Sequence, residues 1–127
     1  MTAIPLVFVG AGLGGVLRHL INVGVARLLG SDFPWWTLII NVTGSVVMGL
    51  IAGWLTFRTD AIWSQSARLF IMTGVLGGYT TFSAFSLDAV LLWERGASAS
   101  ALGYVLGSVV LSILGLVAGL QLVRSFT

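Results

Sequence analysis

Four apolar runs, each long enough to cross a lipid bilayer as a helix, dominate this sequence and restrict what it can fold into. They extend from Ile4 to Leu29, Trp35 to Phe57, Ala67 to Trp93 and Ala97 to Val123. A helix needs about 20 residues to cross a hydrocarbon core of about 30 Å, and each run meets that length. Charged residues make up only 8% of the chain, against roughly 25% in an ordinary soluble domain. Most of the charges gather in the short connections. The sequence therefore predicts a single all-α membrane domain over residues 1–127. Neither a basic opening segment nor an A-x-A-like site marks a cleaved leader, so the first helix is expected to be retained.

The span boundaries carry their own markers. Trp35 and Trp36 open the second run and Trp54 lies near its end, while Trp63 precedes the third and Trp93 closes it. These are the positions where an amphipathic ring settles at the headgroup level. Orientation, by contrast, is unmarked. Arg58, Arg68 and Arg124 fall on one side, Arg27 and Arg95 on the other, and Arg18 could make the count even. Topology is normally set by an excess of Lys and Arg in the cytoplasmic loops. A chain without that bias is free to insert both ways. Four helices are also too few to enclose a wide pore, and the two points together suggest an antiparallel homodimer. The absence of cysteine excludes disulfides and thiol catalysis. A net charge of +2 without a basic run gives nucleic acid no footing.

Small residues recur one turn apart at Gly10 and Gly14, Ala11 and Gly15, Ser45, Gly49 and Gly53, Gly103 and Gly107, and Gly115 and Gly119. Such pairs let helix backbones approach closely where lipid offers no hydrophobic drive. Two polar stripes cross otherwise apolar helices. Thr37, Asn41 and Ser45 are four apart, as are Tyr104, Ser108 and Ser112, and that spacing places each set on one helix face. Interhelical hydrogen bonding is the ordinary use of such groups. Two parallel stripes beside an interrupted helix read instead as a lined pathway of hydroxyl and amide groups, suited to a small ion moving passively.

The interruption is the run from Gly77 to Ser86, Gly-Gly-Tyr-Thr-Thr-Phe-Ser-Ala-Phe-Ser, within the third apolar segment. Lipid cannot satisfy a free backbone group, so a broken spanning helix survives only inside protein or beside water. The first half-helix is expected to end near Gly77 with free carbonyls that suit a hard cation such as Na⁺. The second begins near Thr81 with its positive dipole end. Phe82 and Phe85 share a face just beyond the break. The edge of a phenyl ring is partially positive, so two such edges, with the hydroxyls of Ser83 and Ser86, could hold a small anion. Arg18 must lie within the first span and either snorkels or faces an aqueous vestibule. Asp88 is expected at a solvated entrance, and solitary His19 has no partners at metal-ligand spacing.

At these residues the chain resembles the CrcB/Fluc fluoride channels over essentially its whole length. The similarity runs through Gly12 to Arg18, through Thr37 to Gly44 with its Asn41-Val42-Thr43-Gly44, and through Tyr104, Ser108 and Ser112. Its most specific part is Gly74 to Ser86, close to a GxxGGxTTFSTFS pattern. Ala84 stands where threonine is usual, Asp88 where glutamate is common, and His19 where an aromatic residue is often found. The resemblance implies a dual-topology antiparallel homodimer in the bacterial inner membrane, with two pores that export fluoride passively. It implies no catalytic residue. Phe82 and Phe85 would coordinate the anion edge-on, Asn41 would position it with Thr37, Ser108 and Ser112, and carbonyls of Gly77 and Thr80 from both subunits would hold a central structural Na⁺. Two other classes fit a small four-span chain. A proton-coupled multidrug exporter of the small multidrug resistance type would carry a glutamate on the first helix, which is absent here. An accessory membrane subunit would use its polar stripes for assembly alone.

Overall fold

A computed structural model describes residues 2–56 and 65–126. Arg58 and Trp63 lie outside them. Helix α1 (Ala3–Leu29) ends at Gly30, whose φ of 80° lets its N–H return to the Ala26 carbonyl at 3.0 Å. Only glycine adopts that conformation without steric cost. Helix α2 covers Trp35–Thr56. The third span divides into α3, residues 65–79, and α4, Phe82–Glu94, and α5 (Ser98–Ser125) completes the chain. All four spans are long and apolar enough to cross a membrane.

The helices pack as two parallel pairs. Along α1, Gly10 adjoins Phe70 and Gly74, Gly14 adjoins Val75 and Tyr79, and Arg18 reaches Thr80. Along α2, Gly49 adjoins Leu116 and Gly53 adjoins Val123. Both registers advance together, as they must when successive spans alternate in direction. A β-carbon on Gly10 would lie 2.5 Å from the Phe70 carbonyl oxygen, and one on Gly119 2.5 Å from that of Val46. Neither contact is sterically possible, so these positions exclude every side chain. Gly12, Gly15, Gly103 and Gly107 are different, with nothing within 4 Å of an added β-carbon. Of the five predicted small-residue motifs, those at Gly10, at Ser45 and at Gly115 thus bind the chain to itself, and Gly103 and Gly107 point away from it. The Ala11 motif is divided, with Ala11 against Gly78 and Gly15 facing open space.

Helix α3 is wound as a π-helix over Arg68–Leu76 and closes with an α-turn, Gly77–Tyr79. It therefore ends at Tyr79, two residues beyond the Gly77 expected from sequence. Thr80 and Thr81 are extended, with ψ of 157° and 122°. That geometry strips the backbone of its helical partners, and Asn41 replaces them. Its side-chain nitrogen donates to the Thr81 carbonyl at 2.9 Å, while the Thr81 N–H donates to its oxygen at 2.8 Å. Thr80 finishes α3 with its N–H and hydroxyl both on the Leu76 carbonyl at 2.9 Å. Thr81 caps α4, its hydroxyl accepting from the Ala84 N–H at 3.2 Å. The Thr81 N–H and the first turn of α4 are thus answered by the side chains of Asn41 and Thr81.

Two outcomes are expected in purified protein. Gly49→Val forces α2 from α5 and should lower the thermal unfolding midpoint, an overpacking cost of about 1–3 kcal/mol, whereas Gly24→Ala, which meets open space, should leave it unchanged. Asn41→Leu leaves the Thr81 N–H unpaired and takes the second donor from the Thr81 carbonyl, and should cost about 1–3 kcal/mol by the same measurement.

Candidate functional site

The break opens onto a cavity of about 430 Å³ between α2, α4 and α5. Asn41 and Ser45 line it from α2, Ser108 and Ser112 from α5, and Thr80, Thr81, Phe82 and Phe85 from the interrupted span. The lower two members of each predicted stripe therefore do meet across one space. Phe82 and Phe85 are stacked, with ring centroids 5.4 Å apart and planes within 8°. Phe85 is 7% exposed and Phe82 79%, so the first belongs to the protein interior and the second stands at its surface. Ser108 is 4% exposed, and its hydroxyl has no hydrogen-bond partner. A buried hydroxyl left unpaired costs roughly 1–3 kcal/mol.

The upper members of the stripes go elsewhere. Thr37 and Tyr104 are almost fully enclosed, and both hydroxyls donate to one carboxylate oxygen of Asp88, at 2.7 and 3.1 Å. Asp88 also lines a smaller pocket of about 110 Å³ with Ser31, Asp32 and Arg95 at the level of the α1–α2 and α4–α5 connections. The carboxylate thus sits between the deep cavity and the outer pocket, bound by donors from α2 and α5. Hydrogen bonds to a carboxylate are among the stronger kinds, which fixes this junction of three helices.

Arg18 does not join Asp88. Its guanidinium donates to the Thr80 carbonyl at 3.4 Å, turned inward onto the break rather than toward the headgroups. Ser83 is exposed and approaches the Thr81 hydroxyl at 3.4 Å without lining the cavity. The Ser86 hydroxyl bonds back to the Phe82 carbonyl at 2.9 Å, a common way for a helical serine to satisfy itself. Gly77 is exposed. Its carbonyl loses its helical donor because the Thr81 N–H is turned to Asn41.

Two contacts escaped the reading of the sequence. The Thr43 and Tyr79 hydroxyls meet at 2.9 Å, linking α2 to the end of α3. Phe33, in the α1–α2 connection, packs edge-on against Tyr104 with centroids 5.5 Å apart and planes at 85°. A pattern search weighted toward span interiors passes over a phenylalanine in a loop. Its neighbourhood with Pro34 and Trp35 was the available signal of an ordered, interfacial turn.

Comparison with known proteins gives a single answer. Residues 5–120 match the family model described as CrcB-like protein, Camphor Resistance (CrcB). A protein of Rhodopseudomonas palustris strain BisB5 named fluoride-specific ion channel FluC is 62% identical over 122 residues, covering 96% of this chain and 97% of its own. A protein of the same name from Methylobacterium nodulans is 57% identical over 121 residues, covering 95% of each chain. One from Mesorhizobium japonicum is 52% identical over 120 residues, covering 94% of each. With four apolar helices, a divided third span and a match over nearly its whole length, the chain belongs to the CrcB family of multi-pass membrane proteins.

Proposed function

We propose that this protein is a fluoride-selective channel that lets the anion leave the cell passively, working as an antiparallel homodimer of chains inserted in opposite orientations. The observation that carries the reading is the cavity at the break, where the stacked Phe82 and Phe85 face the unpartnered, buried Ser108 hydroxyl. Its lining is apolar apart from neutral donors. Asn41 spends one N–H on the Thr81 carbonyl and keeps a second for an ion. Ser45 and Ser112 continue the donor track one turn deeper.

Selectivity follows from what those groups can replace. A dehydrated fluoride needs short, strong donors, and hydroxyls, an amide N–H and ring edges supply them at close range. A larger halide gains less from each contact. No driving reaction is required. Hydrogen fluoride that enters from acidic surroundings dissociates in a neutral interior, and a 100 mV inside-negative potential favours exit by about 2.3 kcal/mol per charge. The bound carboxylate of Asp88 marks the way to the outer pocket, and Arg18 lends positive charge beside the break.

Dimerisation is supported by what one chain leaves uncovered. It exposes 7933 Å², whereas a compact protein of 13.4 kDa exposes roughly 6,500 Å². Phe82 is among the exposed groups, so a second chain would complete the wall around it. The outward glycines Gly103 and Gly107 offer a close-approach face. At the dimer centre the carbonyls of Gly77 and Thr80 fit a structural Na⁺. The first has lost its helical donor, and the second is engaged only by a long bond from Arg18, which leaves a lone pair. A bound Na⁺ would neutralise those carbonyl dipoles and tie the two breaks together.

In proteoliposomes read with a fluoride electrode, the wild type should release fluoride rapidly and chloride at least a hundredfold more slowly; equal rates would defeat the selectivity claim. Phe82→Ile should abolish fluoride release while the protein still elutes as a dimer. Exchange of Na⁺ for K⁺ during purification should lower the dimer's unfolding midpoint by several degrees, and identical midpoints would remove the cation from the reading.

A further inference from the structure

We infer that Phe33 is a positioning residue of the ion pathway, acting through Tyr104 to hold the phenol hydroxyl on Asp88. This rests on the channel reading above and adds to it a residue outside the spans. The basis is a continuous file of rings. Phe82 stacks on Phe85 at 5.4 Å, Phe85 meets Tyr104 at 5.3 Å with planes 41° apart, and Tyr104 meets Phe33 edge-on at 5.5 Å. Phe33 in turn lies 4.6 Å from Trp35, which opens α2. The file therefore runs from the break to the headgroup level.

Within it the Tyr104 ring is clamped on two sides. Phe85 fixes one and Phe33 the other, and both are centroid distances at which aromatic pairs attract. A tyrosine hydroxyl lies on the axis about which its ring turns but far from the Cα–Cβ axis. A small change in χ1, which the rings on either side resist, therefore sweeps it through a wide arc. Its bond to Asp88 is 3.1 Å, longer than the 2.7 Å bond from Thr37, and so has the less margin to lose. Phe33 itself has a firm seat. It is half-buried against the core formed by Phe85, Leu92, Ala101 and Tyr104, and its carbonyl accepts the Trp35 N–H at 2.8 Å. Beyond the connection, the Arg95 guanidinium donates to the Asp32 carbonyl, which joins the two loops on that side. The connection is thus an ordered brace against α5.

The chain's tyrosine content allows a direct test. It has only two tyrosines, so protein labelled with 3-fluorotyrosine gives two ¹⁹F resonances, and Tyr79→Phe assigns the one from Tyr104. Phe33→Leu should shift and broaden the Tyr104 signal, and Phe33→Tyr, which keeps an aromatic edge, should restore it. An unchanged Tyr104 resonance in Phe33→Leu would overturn the inference, whatever ion the protein carries. In fluoride efflux, Phe33→Leu should slow release about tenfold and Phe33→Tyr should remain near wild type. The double variant Phe33→Leu with Tyr104→Phe should be no slower than Tyr104→Phe alone. Rates that multiply in the double variant would also overturn it. A wild type that moves no fluoride, with the Tyr104 signal still responding to Phe33→Leu, would sink the channel reading and leave the positioning role standing.

Discussion

The pairing of Asn41 with the peptide of Thr81 is the interaction on which the rest depends. A spanning helix can be cut at mid-membrane only if the groups it releases find partners. One carboxamide presents a donor and an acceptor side by side, and it answers the Thr81 N–H at 2.8 Å and the Thr81 carbonyl at 2.9 Å, groups of two successive peptide units. With that pair in place, Thr80 can terminate one half-helix and Thr81 can cap the other. The rings of Phe82 and Phe85 then leave the break on a fresh helix with a defined starting angle. The cavity, its donors and the freed Gly77 carbonyl all follow from that single substitution of side chain for backbone.

Much of this was legible in the linear sequence, for reasons that are physical. Apolar length measured against bilayer thickness located four spans. The polar, glycine-opened run from Gly77 to Ser86 inside an otherwise apolar segment announced that the third would not run unbroken, and lipid's inability to satisfy freed backbone groups placed that break inside protein or beside water. Spacing by four put Asn41 and Ser45, and Ser108 and Ser112, on faces that converge. What stayed hidden was direction. The glycine pairs at 10 and 14 and at 103 and 107 have the same spacing, yet the first pair lies buried against α3 and the second faces outward. Period alone names a face without naming its neighbour.

Other features had no local signal at all. The π-winding of Arg68–Leu76 was not expected from the sequence; the stretch runs beside α1, where Gly10 and Gly74 touch. Arg18 invited the choice between headgroups and an aqueous vestibule, and its actual target, the Thr80 carbonyl, existed only once the break had been folded. Thr37 and Tyr104 belonged by spacing to the donor stripes, but a carboxylate from a third helix claims both. Long-range choices of this kind are decided by which acceptor arrives, and a stripe cannot announce that.

The double duty of Asn41 has a consequence for anyone dissecting the protein by mutagenesis. Residue 41 is at once scaffold and lining, so its shape and its chemistry toward an ion cannot be varied independently. Aspartate forfeits the bond to the carbonyl, alanine forfeits both, and glutamine displaces the amide by a methylene. A loss of throughput in any of them would carry an architectural defect mixed with an electrostatic one. Ser108, whose hydroxyl makes no hydrogen bond within the chain, is the cleaner place to learn what the permeating species asks of its surroundings.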